Sequence, residues 1–273
     1  MFGIFLITWR EALEAALIVG ILLTYLKKIG EAKNFKYIYY GVILAILASL
    51  LFAYFSNAVS LLFQGSREEI FHAAILFLAV GVLTYMVVWM HHNAREIKGE
   101  LQQKADEALA KNRVWALASL AFIGVFREGI ETVLFLWGLL LDSGNLVSYY
   151  ANITGGFAGI GLAVLMAWLF FKGFGHIDLR IFFRITGVLL LFIAAGMLST
   201  AVGKLIAADI LPPIIDHVWN TSWLIDEHKI IGSILSGILG YKARPSLMEM
   251  LFYLLYFPTV IIWLKTQRHD LAQ

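Results

Sequence analysis

Long apolar stretches follow one another along the chain, and most of the polar segments between them are short. At about 1.5 Å of rise per helical residue, each stretch can cross a bilayer core of about 30 Å. We therefore predict an all-α membrane protein with seven transmembrane helices. These helices are expected at residues 4–26, 38–63, 70–90, 114–141, 149–171, 185–206 and 247–264.

Composition supports a membrane protein and excludes other classes. Of the 273 residues, 60% are hydrophobic and 15% are charged, whereas soluble domains are about 45–50% apolar and about 25% charged. The net charge of only +2 argues against a nucleic-acid-binding protein. Because the chain has no cysteine, it can form no disulfide, thiolate metal site or iron–sulfur cluster.

Two segments in the first half of the chain recur in the second half. Residues 5–14 match residues 122–131 at an offset of 117, and residues 76–83 match residues 191–198 at an offset of 115, with five identities in eight. Each repeat contains three spans, an odd number, so the second repeat must be inverted relative to the first. We predict an inverted 3+3 repeat plus one extra helix, an arrangement typical of transporters that bind substrate near the midplane.

Lysine and arginine predict the orientation, because basic residues stay on the cytoplasmic side. With the N-terminus outside and the C-terminus inside, 14 of the 21 basic residues lie inside and five outside, while Arg10 and Arg127 lie within spans. The chain is then a single transmembrane domain. Its parts are a first repeat at 1–93, a cytoplasmic loop at 94–113, a second repeat at 114–206, an external loop at 207–246 and the seventh helix at 247–264.

Six charged residues lie deep inside the apolar stretches, in two copies of the motif R-E-x-x-E. They are Arg10, Glu11, Glu14, Arg127, Glu128 and Glu131. A charge at the centre of a transmembrane helix costs about 2.5–3.5 kcal/mol on insertion scales, so these side chains must face one another, water or a ligand. Positions three apart share a helix face, and positions four apart can form an Arg–Glu pair. If the first and fourth spans pack side by side, four carboxylates converge near the midplane.

The four carboxylates and two guanidinium groups carry a formal charge of −2. With no Cys or His at similar depth, the site offers hard oxygen ligands, which suit a small multivalent cation. The same residues also fit salt bridges that only hold helices together, a proton-coupled transporter that uses the same glutamates, or an intramembrane enzyme. No H-E-x-x-H motif, serine-containing elbow or deep pair of histidines supports the enzyme.

The two motifs resemble those of a known family, the iron permeases of the oxidase-dependent iron transporter family, which carry R-E-G-L-E in their first and fourth spans. Here residues 10–14 read R-E-A-L-E and residues 127–131 read R-E-G-I-E, so every charged position is kept. Residues 84–90 are similar to the end of the family's third span, and residues 240–249 to the approach to the seventh span in bacterial members. The resemblance covers nearly the whole chain.

This resemblance implies iron uptake by a multi-pass permease of the cytoplasmic (inner) membrane, and no enzyme activity. The pathway ligands would be Glu11, Glu14, Glu128 and Glu131, and the charge-balancing residues Arg10 and Arg127. Iron, as Fe(II) or Fe(III), would be the transported substrate, with no permanent cofactor; manganese or lead could use the same oxygen site. The expected partners are membrane lipid, an extracytoplasmic oxidase or peroxidase and an iron-binding lipoprotein, but no nucleic acid.

Residues near the outer face are candidates for an entry or accessory metal site: Glu249, Glu69, His72, His228, Asp226 and Glu227. Bacterial relatives often have Glu at the position of His72, and His can also bind iron. An ordinary solvated loop is the alternative for the residues of the external segment. The apolar stretch 230–241 is too short to span and is interpreted as interfacial or re-entrant, and the charged loop 94–113 as a helix on the membrane surface.

Overall fold

In the part of the chain that the computed structural model describes, the regular secondary structure is all helical, with irregular segments at residues 208–225 and 240–246. That part comprises residues 2–60, 66–93, 97–111, 113–140, 146–172, 179–225 and 230–270. Its α-helices are α1 (Phe2–Lys28), α2 (Phe35–Ser60), α3 (Ser66–Asn93), α4 (Ile97–Ala110), α5 (Val114–Leu140), α6 (Leu146–Phe171), α7 (Leu179–Ala207), α8 (Ile230–Leu239) and α9 (Leu247–Asp270).

Among the residues that the structure describes, five segments are long and apolar enough to cross a membrane. They are Ala32–Ser56, Arg67–Met90, Asn152–Phe171, Arg184–Ala207 and Leu247–Thr266. The helices α1 and α5 are as long, at 27 residues each, but each carries the three charges of its motif near its middle. The all-α membrane class is thus confirmed with five candidate spans, while the spanning role of α1 and α5 stays a prediction.

The connection from α1 to α2 is a tight reversal. The residue after the last turn, Gly30, has φ +81°, a left-handed conformation that glycine adopts without steric cost. It lets the amide of Glu31 donate to the carbonyl of Leu26 at 2.9 Å, which closes the last turn of α1. A short 3-10 turn, Ala32–Asn34, then leads into α2, so α1 and α2 are antiparallel neighbours.

Glycines allow α6 to approach α1 very closely. A Cβ on Gly159 would lie 2.7 Å from the carbonyl oxygen of Phe5 and 2.9 Å from the amide nitrogen of Trp9. Further along the same pair, Gly20 of α1 lies directly against the ring of Phe171. Contacts therefore advance in the same direction along both helices, and α1 and α6 run parallel.

The pair of α2 and α5 is built in the same way. Gly41 of α2 lies against the backbone of Ala118, with Ala121 also in contact, and Ser49 lies against Gly129 two to three turns further along both helices. These two helices are therefore also parallel. A Cβ on Gly129 would lie 2.8 Å from the Cβ of Ser49, so the glycine of the second motif makes room for α2.

Helices α1 and α5 run in opposite directions where they face each other. Ile18 lies beside Gly124, and Gly3 beside Leu139, so residue numbers rise along one helix as they fall along the other. The pair α3 and α7 is antiparallel for the same reason, with Val87 beside Gly187 and Glu69 paired with Lys204. The main apolar core lies among these helices and α9, and includes Ile7, Leu76, Leu83, Phe135 and Ala194.

The two short helices pack on the bundle. In the loop 94–113, α4 buries Ala105 and Ala108 against Leu22, Leu26 and Leu117, at the C-terminal end of α1 and the start of α5. Its apolar stripe therefore covers protein. Gly240, which directly follows α8, contacts Gly196 of α7. Gly196 lies 11 residues before the end of α7. Since that distance is about 16 Å of helix, α8 dips into the bundle.

Candidate carboxylate site between α1 and α5

In the first motif, Arg10 is held on several sides. Its Nη1 donates to Glu11 Oε1 at 2.8 Å and to the sulfur of Met86 at 3.0 Å, and its Nη2 lies 2.7 Å from Glu14 Oε1. Only 2% of its side chain is exposed. One guanidinium thus bridges both carboxylates of its motif, as the spacing predicts for the i, i+4 pair.

In the second motif, Arg127 is placed differently. Its Nε donates to Glu131 Oε1 at 2.9 Å, and its guanidinium lies over the ring of Trp89, 5.1 Å from the ring centre. The side chain is 40% exposed. Within the described part of the chain, no ion pair or hydrogen bond joins it to Glu128, so the two motifs share their charged positions but differ in the contacts of their arginines.

Three carboxylates from the two helices meet at one point. Glu11, Glu128 and Glu131 each offer an oxygen, and these three atoms lie within 4.8 Å of one another. In all three side chains the Oε2 atom is buried and has no hydrogen-bond partner among the described residues. Glu14 stands beside this group, with its Oε1 on Arg10. The predicted convergence of the two motifs is thus present, with three of the four carboxylates in the cluster.

The charge of such a cluster has to be compensated by the neighbouring arginines together with a bound cation or protons. Buried polar atoms without partners are costly, and buried like charges more so. Three oxygens spread evenly around a small hard dication lie about 3.6 Å apart, at a metal–oxygen distance of about 2.1 Å. The three oxygens of the cluster lie within 4.8 Å of one another, so movements of up to about 0.7 Å each would bring them to the distance at which they can coordinate a cation of this size.

A mostly apolar pocket lies between the helices that carry the two motifs and α6. Its volume is about 210 Å³, and its polar lining residues are Thr8, Thr132 and Asn152. The Thr8 hydroxyl donates to the carbonyl of Ile4 at 2.8 Å, and that of Thr132 to the carbonyl of Glu128 at 2.7 Å. Both hydroxyls serve their own helices, so the carboxylates remain the coordinating groups.

Two of the candidate accessory carboxylates already have cationic partners. Glu69 is 3.1 Å from Lys204 Nζ, and Glu249 accepts a hydrogen bond of 2.6 Å from Lys242. Glu249 also accepts from the amide of Ser246 at 2.8 Å, and its own amide donates to the Ser246 hydroxyl at 3.3 Å. This reciprocal pair is a capping box at the start of α9, which gives Glu249 a structural role apart from the α1–α5 cluster.

The remaining accessory candidates divide into one described and three undescribed residues. His72 is buried on the first turns of α3, with its Nε2 3.9 Å from Glu68 Oε1. It lies in α3 near Glu69, apart from the three clustered carboxylates. Asp226, Glu227 and His228 lie outside the described residues.

Sequence reasoning missed the two residues of α3 that hold the arginines. Met86 and Trp89 lie one helical turn apart and contact Arg10 and Arg127 respectively. Both belong to the stretch that resembles the family's third span. In a helix that is apolar almost throughout, a methionine or tryptophan gives no pattern that distinguishes a contact with a buried charge from ordinary core packing.

The chain matches a known protein family over nearly its whole length. The model of the iron permease FTR1 family matches residues 1–267. The chain is 31% identical to the ferrous iron permease EfeU of Escherichia coli O6:K15:H31 over 264 residues, which cover 96% of this chain and 94% of the relative. It is 32% identical to the Yersinia pestis protein of the same name over 271 residues, 98% of this chain and 95% of the relative. No solved structure was found to match.

Proposed function

This chain belongs to the iron permease FTR1 family and is an iron permease of the inner membrane. We propose that iron crosses the membrane between α1 and α5 through the clustered carboxylates. Glu11, Glu128 and Glu131 are the proposed ligands, with Glu14 beside them. The observation that carries this proposal is the set of three buried Oε2 atoms without hydrogen-bond partners among the described residues. The relatives of this chain are named as permeases, which agrees with a role in transport and not in catalysis.

The directions of the helices support the proposed inverted 3+3 repeat. Helices α1 and α5 carry the two motifs and are antiparallel, and so are α3 and α7. The parallel pair α1–α6 has its counterpart in the parallel pair α2–α5, as a two-fold axis in the membrane plane requires. We propose that α1 and α5 span the membrane with the other five long helices, with the N-terminus outside.

In this proposal the cluster replaces part of the water shell of the ion. Iron arrives from the outer side, and the carboxylate oxygens substitute for water ligands. Arg10 and Arg127 lower the net negative charge, because binding that is too strong would prevent release. The formal charge of −2 from four carboxylates and two arginines is neutralised by one divalent cation.

Uptake by the purified protein in liposomes tests the proposal. Glu11→Gln, Glu128→Gln and Glu131→Gln each remove one anionic ligand and are expected to lower iron uptake at least tenfold, the scale of perturbed metal sites. The matched control is Glu107→Gln, which removes an exposed carboxylate on α4 and should transport as wild type. Full uptake by an inserted Glu128→Gln variant would exclude the site.

The same vesicles distinguish iron from other ions. Iron held as Fe(II) or as Fe(III) is offered separately, and manganese and lead are added as competitors. If iron uptake in either oxidation state continues in the presence of an equal concentration of manganese or lead, the result supports an iron permease. Preferential transport of manganese or lead would instead assign the carboxylates to that cation, and proton flux without any metal would identify a proton pathway.

A further inference from the structure

One face of α3 contacts the arginines of both motifs. Met86 and Trp89 are three positions apart, so their side chains project from the same face. The sulfur of Met86 accepts from Arg10, and the ring of Trp89 lies under the guanidinium of Arg127. The third helix of the first repeat therefore touches both charge-balancing residues, although it carries no part of either motif.

The two arginines bind the glutamates of their own motifs differently. Arg10 binds its i+1 carboxylate, Glu11, as well as its i+4 carboxylate, Glu14. Arg127 binds only the i+4 carboxylate, Glu131. The first motif shows that an arginine at this spacing can reach both glutamates, so a further contact of Arg127 is the candidate cause of its separation from Glu128.

The face of Trp89 supplies that contact. A tryptophan ring attracts a guanidinium, and the attraction is strongest where water is scarce. Without it, the Arg127 guanidinium would be drawn onto the neighbouring carboxylate and would occupy oxygens that a metal ion needs. We propose that Trp89 is a positioning residue that holds Arg127 away from Glu128 and so keeps the Glu128 carboxylate open for the transported cation. This inference rests on the proposed function.

Transport kinetics in liposomes test the positioning role. Trp89→Leu removes the ring face, and the half-saturating iron concentration is expected to rise about two- to fivefold, the scale of a cation–π contact whose cation is partly exposed. Trp89→Phe keeps an aromatic face and should lie close to wild type. The control is Trp168→Leu, which removes an exposed tryptophan from a similar contact with Lys172 on α6, a helix that carries none of the carboxylates, and should leave iron transport unchanged.

A double variant that also lacks the Arg127 guanidinium distinguishes a positioning role of Trp89 from a role in packing alone. If Trp89 acts through Arg127, then Trp89→Leu changes nothing further in an Arg127→Gln protein, because coupled residues are not additive. An equal rise in half-saturating concentration in both backgrounds would overturn the proposal and assign Trp89 to packing alone. Should Trp89→Leu fail to insert, Trp89→Met removes the ring with a side chain that fits irregular space.

Glu128→Gln distinguishes the failure of this inference from the failure of the proposed function. Wild-type uptake by Glu128→Gln would refute the proposed carboxylate site itself. Lost uptake by Glu128→Gln, together with a wild-type half-saturating concentration in Trp89→Leu, would overturn only the role of Trp89.

Discussion

Substitution of Gly159 by alanine tests whether the position of the first motif depends on the close approach of α6 to α1. The added Cβ would lie 2.7 Å from the carbonyl oxygen of Phe5, about 0.7 Å closer than the 3.4 Å at which ordinary contact begins. The nearest opposing atom is the Thr8 hydroxyl, which belongs to a side chain, but the next two are backbone atoms that cannot rotate away, so the helices must separate. Overpacking of this kind costs about 1–3 kcal/mol, which corresponds to a melting temperature lower by about 2–10 °C.

The matched control is Gly161→Ala on the same helix. A Cβ at Gly161 would meet nothing within 4 Å, and alanine is favoured over glycine in a helix by about 1 kcal/mol. Gly161→Ala should therefore unfold at or above the wild-type temperature. Both variants gain the same helix propensity, so the difference between them measures the clash alone.

Thermal unfolding in detergent and iron uptake in liposomes are measured on the same preparations. The first motif begins one residue after Trp9, whose amide faces Gly159, so displacement of α1 also moves Glu11 relative to the carboxylates of α5. We expect Gly159→Ala to lose both stability and uptake. Equal melting temperatures for Gly159→Ala and Gly161→Ala would refute the reasoning, because they would mean that the helices can separate at no cost.

Two further substitutions test the packing of the second motif and the cap of α9. Gly129→Ala places a Cβ 2.8 Å from the Cβ of Ser49 and should destabilise the protein by about 1–3 kcal/mol; Ser49→Gly should restore the melting temperature, and failure to do so would contradict the assigned clash. Ser246→Ala removes the hydroxyl that accepts from the amide of Glu249 and should cost about 1 kcal/mol while iron uptake per inserted molecule stays unchanged, and a loss of uptake would give this end of α9 a role in transport.

Much of the fold could be predicted because a bilayer penalises charge so strongly. Long apolar stretches have few alternatives to a spanning helix, and five of the seven expected stretches meet that description in the structure. The first and fourth are helices of 27 residues with three central charges each. The charges that weaken them as apolar spans are the same charges that revealed the candidate site.

The accessory residues show where prediction from sequence ends. Glu249 and Glu69 are acidic and close to helix ends that the predicted orientation places on the outer side, which made them candidates for a metal. Each is paired with a lysine, Lys242 and Lys204 respectively. The lysine partner of Glu69 is far away in the chain, and no spacing rule connects residues on different helices.

The sequence by itself determined the membrane class, the two R-E-x-x-E motifs and the faces on which their charges lie, because helix periodicity and the cost of buried charge act locally. Only the tertiary structure decided that Glu11, Glu128 and Glu131 form the cluster, and that Arg10 is enclosed while Arg127 rests on Trp89. These outcomes depend on how closely the helices approach and how each is rotated. Backbone contacts at glycines and the side chains of α3 set both, and identical motifs thereby acquire different surroundings.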